Sequence, residues 1–177
     1  MKIRELDESD WPAVSSVYAD GIATGNATFE SDVPTWERWN ATHASLRLVA
    51  EIDGDVVGWA ALSPYSDRHC YRGVAEESVY VGGAARGKGV GRALLEELIA
   101  RADADGYWTL LAGVFPENEA SLALHLSVGF RVVGVHEQLG ERDGVFRDVV
   151  WLERKAPTTS RSRARRRSAR RPGRRRR

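Results

Sequence analysis

The sequence predicts a mixed α/β (α+β) domain, and three observations carry that expectation. A β-branched and aromatic run at 74–81 stops at Gly82-Gly83, passes three alternating glycines among cations, and gives way to an amphipathic helix. Two apolar runs, 47–52 and 56–62, flank Asp53-Gly54-Asp55, which is a hairpin signal. Two further strands, about 131–139 and 145–153, form a closing hairpin.

The remaining elements follow in order. Residues 2–6 read as a short strand, and Ser9-Asp10 opens a helix with Trp11-Pro12 in its first turn, where proline is tolerated. Trp11, Val14, Val17, Tyr18 and Ile22 recur on it at helical spacing. A loop with Gly25, Asn26 and Thr28 leads to Phe29-Glu30, and Pro34-Thr35 starts a second helix carrying Trp36, Trp39 and His43. Residues 63–73 are irregular. After the glycine loop, Val90, Leu94, Leu95, Leu98, Ile99 and Ala102 share one helix face. A strand at 109–114 follows. Asn118 then caps a short helix that reaches Val128 and ends at Gly129-Phe130.

The 177 residues give room for one domain, expected over 1–155. The net charge of +1 hides an asymmetry. Residues 156–177 hold eleven arginines and no acid, whereas 1–155 hold 15 basic against 25 acidic side chains, a net of −10. The tail has no large apolar residue and is expected to be disordered. Its charge would suit nonspecific nucleic-acid or anionic-membrane contact, but no aromatic is interleaved to stack on bases. Cys70 is the only cysteine, which fits a reducing cytoplasm. No stretch of signal-peptide or membrane-spanning length and apolarity is present, so a soluble protein is expected.

The glycine loop has three candidate owners, separated by spacing. A dinucleotide turn wants G-x-G-x-x-G, but Gly87, Gly89 and Gly91 alternate. A P-loop wants G-x-x-x-x-G-K-[ST]; Gly82 to Lys88 begin it, yet Gly89 replaces the metal-binding hydroxyl. The frame that remains, Arg86-x-x-Gly89-x-Gly91, resembles the R/Q-x-x-G-x-G/A signature of GCN5-related N-acetyltransferases. That resemblance implies an acyl-CoA N-acyltransferase fold, a twisted mixed sheet split at a central strand and flanked by helices. It also implies that Arg86, Gly87, Lys88, Gly89, Val90, Gly91 and Arg92 hold the pyrophosphate of acetyl-CoA on loop amides and a helix start.

Two further segments narrow the resemblance. Gly73-Val-Ala-Glu76-Glu77-Ser78-Val79-Tyr80-Val81 is similar to a strand of phosphinothricin and methionine sulfoximine/sulfone acetyltransferases, in which the glutamate three residues before V-Y-V is the general base. Here that is Glu76. Strand alternation places Glu76, Ser78 and Tyr80 on one face, with Glu77, Val79 and Val81 on the other. Glu77 fits a surface acid better, and Glu76 is preferred as the base. By the same resemblance, Val79, Tyr80 and Val81 pair with the pantetheine arm, and the Val81 N–H is the oxyanion donor; both require a real gap in the sheet. The second segment, Asn118-Glu-Ala-Ser121-x-x-x-His125-x-x-x-Gly129-Phe130, resembles N-x-x-[AS]-x-x-x-[YH]-x-x-x-G-[FY]. Asn118 and Ser121 would then meet the cofactor arm. His125 is either the acid for the departing thiolate or a group that orients substrate and cofactor.

For the acceptor, the resemblance points to the loop after the first helix and the segment before the catalytic strand. Phe29, Glu30, Tyr71 and Arg72 occupy those places, with Arg72 as a candidate partner for a substrate carboxylate. The function expected is transfer of an acetyl group to the α-amino group of a small amino-acid analogue, with acetyl-CoA as co-substrate and no metal. A protein N-terminus, or another amine such as an aminoglycoside, is the alternative acceptor. A CoA-binding or nucleic-acid-associated protein working through its tail is the alternative of another class. A homodimer through the closing hairpin or exposed tryptophans is also expected.

Overall fold

Seven strands hydrogen-bond into one sheet in the order β1-β2-β3-β4-β5-β7-β6. They are β1 (Lys2–Glu5), β2 (Arg47–Ile52), β3 (Asp55–Pro64), β4 (Val74–Val81), β5 (Thr109–Val114), β6 (Arg131–Arg142) and β7 (Val145–Lys155). The helices are α1 (Trp11–Ala23), α2 (Trp36–Thr42), α3 (Val90–Asp105) and α4 (Glu119–Ser127). This computed structural model describes residues 1–157. The arginine-rich segment expected to be disordered lies outside the described residues from 158 onward. All neighbouring strands are antiparallel except β4 and β5, which run parallel and are linked through α3.

Alternation along the strands sorts the core into two layers. Leu48, Ala50, Ala60, Leu62 and Ala75 face α3, whose Leu94, Leu95 and Leu98 are fully buried against them. Val49, Trp59 and Ala61 face the other way, onto Val14, Val17 and Tyr18 of α1 and Trp39 of α2. Replacing any of the α3 leucines by alanine should cost about 2–5 kcal/mol, the lost burial plus whatever cavity the surroundings fail to fill. The helix ends follow the sequence signals. Thr35 caps α2, Asn118 caps α4 by accepting from Ser121 N–H at 3.2 Å, and Gly106 at φ 91° closes α3.

The sheet splits in its middle. β4 pairs with β5 only at Val74–Thr109, Ala75–Leu110 and Glu76–Leu111. Past Glu76 the two strands part, although β3 follows β4 to Val81 and β7 follows β5 to Val114. The gap that the acetyltransferase resemblance requires is therefore built into the fold.

Several expectations need correction. The closing hairpin is longer than its apolar pattern, because β6 continues past a bulge at Gln138 (φ 51°) to Arg142. The body does not end at 155: Ala156 is buried and donates its N–H to the Trp108 carbonyl at 3.2 Å. The tryptophans expected to be exposed are not: Trp39 and Trp59 are buried, and Trp11, Trp36, Trp108 and Trp151 are half-buried. The exposed large apolar residues cluster instead on the hairpin, at Val132, Val133, Val135, Leu139, Val145 and Phe146. Among the described residues no helix is long and apolar enough to cross a membrane, and no group of three His, Cys, Asp or Glu is placed to hold a metal ion.

Candidate active site

Two clefts meet at the gap. One, of about 660 Å³, runs along the glycine loop to the start of α3; the other, of about 470 Å³, opens between β4, β5 and the loop after α1. Asn26, Ala27, Val79, Tyr80, Asn118 and Ser121 border both.

The first cleft owes its chemistry to glycine. Gly87 and Gly89 sit at φ 73° and 80°, conformations that other residues rarely adopt, and nothing lies within 4 Å of where their side chains would be. Gly89 precedes α3 without a side-chain cap, so the first N–H groups of this 16-residue helix remain open to a ligand. Arg86 and Arg92 line the same cleft. Arg86 folds back so that Nε donates to the Val81 carbonyl at 3.2 Å, while Arg92 is paired with Glu96. Gly91 also has a packing role, since a Cβ there would meet Leu124 at 3.2 Å. Open amides, a helix N-terminus and two cations fit a pyrophosphate. Val90 also borders the cleft, whereas Lys88 is exposed and borders neither cleft.

The backbone of β4 supplies the next element. Gly82 N–H donates to Val57 O on β3 at 2.9 Å, so alternation turns the N–H groups of Val81 and Val79 away from β3 and into the gap. Past Glu76 no strand of β5 meets them. Two donors thus face the point where the clefts join, as a ligand carrying a carbonyl or amide arm would need.

In the second cleft the two adjacent glutamates have opposite surroundings. Both border it, but alternation sends Glu76 to the α1 side and Glu77 to the α4 side. Glu76 has no hydrogen-bond partner of its own among the described residues. Burial, with the neighbouring Glu77 charge, raises its carboxyl above the ordinary glutamate range. Glu77 is not the surface acid expected from the sequence. It is only 5 % exposed, and its Oε1 is hydrogen-bonded to His125 Nε2. The face opposite Glu76 is covered by α4 and not by water, which is why the sequence reading fails at this residue.

His125 is itself 1 % exposed and engaged at both ring nitrogens. Nδ1 lies 2.6 Å from the Ser121 carbonyl, which only accepts, so Nδ1 carries a proton. Burial opposes charging the ring, but the Glu77 charge and the hydrogen bonds to Glu77 and Ser121 outweigh it and raise the pKa above the ordinary histidine value. Asn118 is similarly committed: its Oδ1 caps α4, and its Nδ2 donates to Asn26 O at 3.1 Å.

The loop after α1 walls both clefts and is held by groups that the sequence reading did not single out. Arg147 donates to Gly25 O and Asn26 Oδ1, each at 3.0 Å, with its guanidinium 4.3 Å from the Phe115 ring centroid. Arg142 donates to Thr28 O at 2.9 Å and Ile22 O at 3.1 Å. Tyr80 donates its hydroxyl to Ala27 O at 3.2 Å, and burial keeps that phenol protonated by raising its pKa. These contacts span more than 50 residues of sequence and leave no local signature.

Of the acceptor residues proposed from sequence, Phe29 and Glu30 border the second cleft, with Phe29 packed edge-on against Phe115. Tyr71 and Arg72 do not. Tyr71 packs on Tyr65, and Arg72 lies 5.2 Å over the Trp108 ring and donates to His69 O. No lysine or arginine of the described residues borders the second cleft.

A sequence model of the acetyltransferase (GNAT) family matches residues 2–130. The chain is 38% identical to a phosphinothricin N-acetyltransferase of Alcaligenes faecalis, over 86% of this chain and 81% of that protein. It is 30% identical to an L-methionine sulfoximine/L-methionine sulfone acetyltransferase of Pseudomonas aeruginosa, over 85% of this chain and 92% of the relative. The fold superposes with a TM-score of 0.81 on a phosphinothricin acetyltransferase from Sinorhizobium meliloti solved in complex with acetyl-CoA, at 30% identity and 88% coverage of both chains. The split sheet, the open glycine loop and these relatives lead to one statement: the chain belongs to the acetyltransferase (GNAT) family and is an acetyl-CoA-dependent N-acetyltransferase.

Proposed function

We propose that the acceptor is the α-amino group of a small amino-acid analogue of the phosphinothricin, methionine sulfoximine or methionine sulfone type. The observation that carries the mechanism is Glu76: an unpartnered, desolvated carboxylate at the gap, raised in pKa, on the cleft that meets the glycine loop. The relatives named above support the substrate class, and the size of the second cleft suits a small molecule.

Acetyl-CoA supplies an activated acyl carbon. The glycine loop and the start of α3 hold its pyrophosphate, and the free N–H groups of β4 align its arm. Glu76 takes the proton of the incoming ammonium, directly or through a water, and frees the lone pair for attack. The Val81 N–H meets the negative charge that builds on the thioester oxygen. The new C–N bond replaces the C–S bond; the products are the amide, free CoA thiol and one proton. A homodimer through the apolar hairpin face and a cytoplasmic setting belong to the same reading, since β6 is an edge strand with unpaired backbone groups.

The test is acetyl-CoA-dependent thiol release with the three analogues, a peptide N-terminus and an aminoglycoside, the amide product being identified by mass. Turnover with an amino-acid analogue and a fall of about 10²–10⁴-fold in Glu76→Gln are expected. Turnover confined to the peptide or the aminoglycoside overturns the acceptor class. Unchanged activity of Glu76→Gln from pH 6 to 9 overturns the base.

A further inference from the structure

The Glu77–His125 pair is absent from the mechanism just given, although both side chains are almost wholly buried beside the gap. Geometry limits what it can do. The Ser121 carbonyl accepts a hydrogen bond from Nδ1–H, and the contact between Nε2 and Glu77 Oε1 needs one further proton shared between them. The pair is then neutral as a whole, and His125 has no nitrogen free to accept a proton or to turn toward a leaving group. Among the described residues Glu77 Oε2 is buried with no hydrogen-bond partner.

We propose that Glu77 is a positioning residue: it locks His125 as a doubly hydrogen-bonded imidazolium that fixes α4 against β4 at the gap, and so removes His125 from proton transfer. This rests on the acetyltransferase reading of the site. It resolves the two roles that the sequence left open for His125 in favour of orientation.

The groups that bear on this pair are few. On β4 they are Glu76, one residue away, and Tyr80, whose phenol stays protonated. The loop after α1 brings Glu30, and α1 brings Tyr18. The β5–β7 side presents Gly113, Val114, Phe115, Val149 and Trp151, with no charge, and Phe130 packs edge-on against the imidazole. Glu77 therefore acts chiefly on His125, through the hydrogen bond, and the imidazolium it holds offsets its like charge toward Glu76.

Two substitutions separate these effects. Glu77→Gln removes the charge and the proton acceptor; Glu77→Asp keeps the charge but withdraws it from Nε2. Ring-nitrogen NMR on the full chain, with His125 assigned through His125→Gln, reads protonation without substrate. Both His125 nitrogens should be protonated in the wild type throughout pH 6–8. In Glu77→Gln the ring should turn neutral, its protonation constant falling at least about tenfold, one pKa unit. In Glu77→Gln the anion and the imidazolium charge are lost together, so the acid limb of kcat/KM should move little, whereas in Glu77→Asp the anion outlasts the imidazolium and the limb should move to higher pH. An unprotonated His125 nitrogen in the wild type at neutral pH overturns the proposal, even if neither variant folds. A His125 ring still doubly protonated at neutral pH in folded Glu77→Gln does the same. Because the NMR readout needs no acceptor, a failure of the substrate screen leaves this result distinguishable.

Discussion

Replacing Val81 by its α-hydroxy acid exchanges one backbone N–H for an ester oxygen and leaves the side chain intact. The structure says what this removes. The Val81 N–H points into the gap, so no ladder bond to β3 loses its donor. The Tyr80 carbonyl becomes an ester carbonyl and a weaker acceptor toward β3, which bounds the stability cost at about 0.5–1.5 kcal/mol. For a chain of this size that is a fall in Tm of about 2–4 °C per kcal/mol. The rate should fall much further. Loss of one oxyanion donor costs about 2.7–4 kcal/mol, or about 10²–10³ in kcat. The assay is thiol release at saturating acetyl-CoA, with thermal melting as the fold control. The same exchange at Tyr80 removes an N–H that faces β3 and should mainly lower Tm. A folded Val81 ester with kcat within about threefold of wild type would refute the assignment of this N–H.

Three further outcomes follow from the same geometry. Glu76→Gln should raise Tm by a few degrees at about pH 8, because the folded state binds the Glu76 proton more tightly than the unfolded chain, so stability present in acid is lost as pH rises through the raised pKa; melts at about pH 4 should show the difference vanish. Arg147→Ala frees the loop that walls both clefts and should raise KM for both substrates severalfold with a smaller change in kcat, as initial rates will show. Truncation after Pro157 should leave turnover within about twofold, whereas truncation after Lys155 removes buried Ala156 and should lower Tm as well, by calorimetry.

Much of this was legible from local pattern. The glycine frame at 86–91, the strand at 74–81 and the cap at Asn118 each depend on neighbours a few residues away, and each lies where the pattern put it. Alternation also placed Glu76 and Glu77 on opposite faces. It gave no means of knowing that the second face is covered by a helix 48 residues downstream, and so Glu77 read as solvated. The anchoring of the Asn26–Glu30 loop by Arg142 and Arg147 was invisible for the same reason. Arg72 failed differently: adjacency in sequence to the catalytic strand suggested the pocket, but an indole ring claims the guanidinium.

The parted strands have a thermodynamic consequence. A sheet that ends its own ladder at Glu76 keeps two interior edges, and a ligand arm that hydrogen-bonds to one of them adds to the folded state alone. The melting temperature should then track the supply of acetyl donor, with about 2.7 kcal/mol gained at a hundredfold excess over Kd. The fold is, in that sense, a gauge of its own co-substrate: the chain without acetyl-CoA should melt below the chain saturated with it.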